Sequence, residues 1–132
     1  MNSRDGVLGG AALALAGDVV LRRRASRARL ALQGVGLVVA AGIYPALHKG
    51  QADVDERRRE AAGVAAATAV VATALVTRRT RGRQLLAFGW AAHALFDAVH
   101  HRGETSLVPE WYPAVCAGYD VATAAAILAP VH

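Results

Sequence analysis

The chain has 132 residues, of which 55% are hydrophobic and 19% charged, and its formal net charge is +5. That length allows one domain, 1–132, and the apolar content lies well above soluble usage. The basic balance sits in arginine blocks that flank apolar stretches, not in one stripe or arm, which points to lipid-headgroup contact and away from nucleic acid.

Alanine makes up about a quarter of the chain, and aromatics only 5%. Small residues let helices approach closely in lipid, where apolar burial no longer drives association. The single cysteine, Cys116, excludes an intramolecular disulfide and any CxxC motif.

The first apolar segment runs from about Gly6 to Leu21 and carries one acid, Asp18. Asp18 stands four residues before Arg22, the spacing of a local helical ion pair. Ala14-Leu15-Ala16 has the small-residue pattern of a signal-peptide cleavage site. However, Arg4 is offset by Asp5, and the strong block Arg22-Arg23-Arg24 follows the apolar stretch. That order suits a retained helix with its N-terminus outside.

The second segment, Leu30 to Leu47, has no charge and ends near Tyr44, Pro45 and His48. Next comes a mixed-charge stretch, Lys49 to Glu60, which reads as a short surface helix laced with ion pairs. The third segment, Ala61 to Thr77, is again free of charge. After Arg78, Arg79, Arg81 and Arg83, the fourth runs from Gln84 to about His101. The fifth, Trp111 to Val131, opens on an aromatic interface anchor beside Pro109 and Pro113.

Segments of about 16–21 residues span roughly 24–32 Å, against a hydrocarbon core of about 30 Å. The expected fold is therefore all-α: a polytopic membrane bundle of about five short transmembrane helices, or four if the first is not a full span. Gly9, Gly17, Gly34, Gly42, Gly89 and Gly118 are the candidate close-packing points. Of the 15 Lys and Arg residues, nine fall in the first and third connections. This bias predicts a multi-pass protein of the cell membrane with its N-terminus outside and its C-terminus cytoplasmic.

The polar residues of the last two segments form a pattern. His93, Asp97, His100 and His101 fall within about 100° of one helix face. Tyr112, Cys116, Tyr119 and Asp120 repeat the same offsets on the fifth segment, and Thr123 shares that face. An eight-residue connection makes the two helices antiparallel neighbours. Counted from their shared edge, Asp97 and Cys116 lie about 5–9 Å deep, and His93 and Asp120 about 12–15 Å deep. An ionised Asp at mid-helix costs about 2.5–3.5 kcal/mol on insertion scales, so such residues need partners or a wet cavity.

His93, Asp97 and His100 offer nitrogen and oxygen ligands for a divalent metal such as Zn or Fe. In this, the stripe resembles one histidine box of the membrane di-iron hydroxylases and desaturases. Those families carry three boxes over a much longer chain, and the likeness here covers under a tenth of the sequence. The bland readings are an Asp97–histidine ion pair, a cross-helix bond from His93 to Asp120, headgroup contact for His101, and simple packing for Cys116.

Three functions fit. The first is a carrier or sensor of protons, ions or a small lipophilic ligand, and five short helices then favour a homo-oligomer. The second is a metal-dependent membrane enzyme acting on a lipophilic substrate, and the third is a structural or accessory membrane subunit.

Overall fold

The computed structural model describes residues 2–47, 53–99 and 107–130. His48, Lys49, His100 and His101, all raised above, lie outside them. The described residues form five helices and no strand: α1 (Ser3–Leu21), α2 (Ser26–Ala46), α3 (Val54–Val76), α4 (Arg79–Val99) and α5 (Tyr112–Leu128). The expected all-α fold and helix count hold. Two of the five, α2 and α3, are long and apolar enough to cross a membrane; α5 is apolar but has only 17 residues.

Local chemistry sets the ends. Asn2 caps α1, its side chain accepting the Asp5 N–H at 2.9 Å, and Asp5 places negative charge at the positive end of the dipole. Pro45 removes a donor in the last turn of α2, which ends one residue later. Pro113 sits in the first turn of α5, where an N–H has no helical partner anyway. One expectation is corrected. The described part of the charged stretch before the third segment, residues 53–60, is not a separate surface helix but the start of α3, and Glu56 and Glu60 face inward there.

Successive helices run up and down. The arginine-rich end collects the C-termini of α1, α3 and α5 and the N-termini of α2 and α4. Three contacts show this: Arg29 reaches Asp18 and the Ala126 carbonyl, Arg83 reaches Ile127 and Ala129, and Gly82 meets Ala74. At the opposite end the Leu107 N–H donates to Leu47 O at 2.8 Å, and Tyr44 meets Tyr112 edge to face. α5 packs between α1 and α4, and α2 and α3 pack on each other and on α4.

Small residues make the close approaches. A Cβ at Gly10 would overlap the Val115 carbonyl oxygen, and one at Gly118 would overlap that of Val7, so α1 and α5 touch backbone to backbone. Of the glycines expected to pack closely, Gly34, Gly89 and Gly118 do; Gly9, Gly17 and Gly42 face open space. The core proper is Leu37, Ala41, Val71, Leu86, Trp90 and Ile127, with alanines between them.

What lies outside and inside is inverted relative to a water-soluble bundle. Leu8, Leu13, Leu15, Val19 and Val20 of α1 are each more than half exposed, as are Val35 and Val39 of α2, Phe88 and Leu95 of α4, and Val121 and Leu128 of α5. Meanwhile Asp18, Gln33, Glu56, Glu60, His93, Asp97, Asp120 and Thr123 are buried.

Asp18 shows how an interior charge is held. It accepts from Arg22 Nε at 2.7 Å, as the spacing predicts, and from Arg29 of α2 at 2.5 Å. The Arg29 side chain is 11% exposed and that of Arg22 44%. Asp18→Asn leaves Arg29 without its counter-charge. The expected cost is about 3 kcal/mol, the low end for breaking a buried pair. Arg22→Ala removes only the exposed partner and is expected to cost under about 1 kcal/mol. Reversible unfolding in mild detergent checks both; equal effects would contradict this account of Asp18.

Candidate functional site

Residues of α4 and α5 at matching depth meet halfway along the bundle. His93 Nδ1 lies 2.7 Å from Asp120 Oδ2 and 3.5 Å from Asp97 Oδ2. Asp97 stands one turn beyond His93 on α4, so the same ring edge faces both carboxylates. All three residues are buried, and one ligand atom from each lies within 4.8 Å of the others. The described residues bring no arginine or lysine to this group.

Hydrogen bonding is incomplete. His93 Nδ1 and Asp120 Oδ2 share a hydrogen bond, whereas His93 Nε2 and both carboxylate oxygens of Asp97 are buried with only looser polar neighbours, the Ala40 carbonyl near His93 and the Tyr44 hydroxyl near Asp97. Native structures rarely leave buried polar atoms in that state, and a charged oxygen there is more costly than a neutral one. Tyr44 of α2 lies beside Asp97, and its ring packs edge to face on Phe96 and Tyr112. It closes the cluster on the side towards α2.

The remaining expected site residues divide. Cys116 is half-buried next to Tyr112, at the border of the cluster, and supplies none of its ligand atoms. Tyr119 is a correction. One residue before Asp120 turns the side chain about 100° away, and its ring packs on Trp90 at 5.7 Å instead of joining the site. His100 lies outside the described residues. Of the ligands expected as His93, Asp97 and His100, the structure brings His93 and Asp97 together with Asp120, a group that could hold a metal ion.

One cavity adjoins the cluster, and a second lies nearer the arginine-rich end. A cleft of about 250 Å³ opens between α2, α3 and α4. Leu37, Ala67, Val70 and Phe88 line it, with His93 and Glu60 in its wall. On the other side a gap of about 50 Å³ lies among α1, α2, α4 and α5, lined by Asp18, Gln33, Trp90 and Thr123 among others. Thr123 is one turn from Asp120, and the buried Trp90 Nε1 has no hydrogen bond to a described residue. A gap of that size and polarity has room for ordered water. Buried polar groups thus continue from the His93 cluster towards the arginine-rich end.

The sequence signal for Glu60 was present but unused. Glu56, Glu60, Ala67, Val71 and Ala74 are the buried positions of α3, and their helical spacing puts all five on one face.

No protein-family model matches this chain, and no curated protein or solved structure is significantly similar to it.

Proposed function

We propose that this is a small multi-pass membrane protein whose His93–Asp97–Asp120 cluster is a buried cation site, and that it carries or senses protons or a divalent ion. The observation that carries this reading is the pair of buried carboxylates, Asp97 and Asp120, both close to His93 and with no arginine or lysine of the described residues beside them. Two carboxylates and one imidazole have two neutral states. In one, a carboxyl is protonated beside an imidazolium–carboxylate pair. In the other, a divalent cation sits on both carboxylates and a neutral imidazole. A low-dielectric interior favours those states over any with net charge. A site so composed takes up positive charge and releases protons when a metal enters.

The membrane setting rests on the inverted surface. Large apolar residues coat the outside of α1, α2, α4 and α5, while acids and histidine sit within. Contiguous exposed apolar surface on that scale is unusual in water, and intramembrane ionisable residues mark ion and proton routes. Thr123, one turn from Asp120, lines with Gln33 and Asp18 a small gap that would extend such a route towards the arginine-rich end. On the arginine bias, that end would be the cytoplasmic one.

A second reading has its own support. The apolar cleft ends on His93, so a lipophilic molecule seated there would touch the cluster, as a substrate of a metal-dependent enzyme or as a sensed ligand.

The test is equilibrium dialysis of the protein in lipid nanodiscs against zinc and against ferrous iron, with proton release recorded. One ion per chain with loss of protons is expected. His93→Ala should weaken binding by more than the roughly 10–100-fold typical of an outer-shell partner. Absence of both metal binding and reversible proton uptake would remove the basis for the cation site.

A further inference from the structure

The arginine-rich end holds a second cleft that the cation site does not use. Arg22, Arg24, Ser26, Arg29, Arg79 and Arg83 line it, between the ends of α1, α2, α4 and α5. Five arginines line it, and the one acid near them among the described residues is Asp18, which is engaged with Arg22 and Arg29. Arg83 is partly engaged as well, donating to the carbonyls of Ile127 and Ala129 at the C-terminus of α5. Arg24 and Arg79 make no ion pair with any described residue. The cleft therefore carries a large uncompensated positive charge.

The helix directions sharpen this. Both α2 and α4 start here, so the positive ends of two macrodipoles meet the arginines. Neither helix has an acid in its first turn, and the α2 N-cap, Ala25, makes no capping bond. By contrast, α1 and α3 carry Asp5, Asp55 and Glu56 in their first turns. Cations at helix N-termini are unfavourable unless an anion accompanies them. The volume, about 60 Å³, is several times the ~10–15 Å³ that holds one water molecule. That admits a compact anionic group, and guanidinium forks fit phosphate oxygens pairwise.

We propose that this cleft binds a phosphate group, supplied by a lipid headgroup or by a soluble phosphate compound. The site stands independently of the cation site, since it shares none of its residues.

The experiment follows the Tm of the purified protein in a neutral detergent. One arm adds inorganic phosphate, one adds phosphatidylglycerol, and a control adds sodium chloride at matched ionic strength. The wild type should show a saturable rise of several degrees over chloride, and Arg24→Gln/Arg79→Gln should lose it. A rise with phosphatidylglycerol alone assigns the group to a headgroup. A rise with inorganic phosphate, with or without the lipid, assigns it to a soluble ligand. A wild-type response no larger than chloride in both arms, or an equal response in the double variant, overturns the proposal. Phenylglyoxal labelling of the wild type gives a readout that needs no variant. Whichever ligand raises the Tm should slow modification of Arg24 and Arg79 several-fold and leave Arg57, Arg58 and Arg59 unchanged. Equal slowing at all five sites, or none, counts against the cleft.

Discussion

Replacing Asp97 and Asp120 together by Asn should abolish metal binding and proton uptake while leaving the fold intact or firmer. The two side chains keep their shape and lose the charge that burial penalises. A neutral amide costs less to bury than a carboxylate, and the repulsion between the two acids is removed, so no loss of stability is expected. His93→Ala should act in the opposite sense. It leaves Asp97 and Asp120 buried, close together and without a positive partner, and such a break costs about 3–5 kcal/mol. The pair of variants separates a functional cluster from a packing device. If the polar group serves only to hold α4 on α5, the double Asn variant loses stability and nothing else. Unfolding in bicelles and zinc dialysis on the same three proteins make the comparison.

The second large effect falls on the contact of α1 with α5. Gly118→Leu puts a side chain where the Val7 carbonyl stands, and Gly10→Leu does the same at Val115. Neither obstacle is the flexible end of a side chain, so the backbones must part. Overpacking of a tight site costs about 1–3 kcal/mol and occasionally more. Separation of α1 also strains the Asp18–Arg29 bond that ties it to α2. Gly9→Leu and Gly17→Leu are the matched controls, because both positions face open space; each should change stability by less than about 0.5 kcal/mol. A loss at Gly17 equal to that at Gly118 would contradict the described face of α1.

The contrast between Gly9 and Gly10 shows what was legible in the sequence. Five helices could be read because blocks of charge interrupt apolar stretches, and the antiparallel order of α4 and α5 followed from their short connection. The register of His93 against Asp120 followed from counting depth along both helices from a shared edge. The face of α1 was harder, since it is apolar all round and no polar stripe marks its outside. The usable signal was the four-residue repeat Gly6, Gly10, Ala14, Asp18, all of them buried. The one charged residue in that row must face inward, and the small residues in line with it then face α5.

Helix starts were misjudged for a related physical reason. Charge marks the edge of an apolar segment but not of its helix, and Arg79–Arg83 and Asp55–Glu60 lie within the first turns of α4 and α3. Long side chains there can reach a polar end while the backbone stays helical. Tyr119 was grouped with Asp120 because a 100° face is wide enough to include two adjacent residues. Packing on Trp90 decided its direction, and periodicity carries no information about that.

The central claim is that His93, Asp97 and Asp120 form one buried site for protons or a divalent cation inside the bundle. Infrared difference spectroscopy of the protein in lipid, titrated with pH and then with zinc, tests it most directly. The account predicts a protonated-carboxyl band in the wild type that vanishes when the pH is raised or when zinc is added, and that is missing from Asp97→Asn/Asp120→Asn. Wild-type spectra identical to those of the double variant at every pH, with and without zinc, would contradict it.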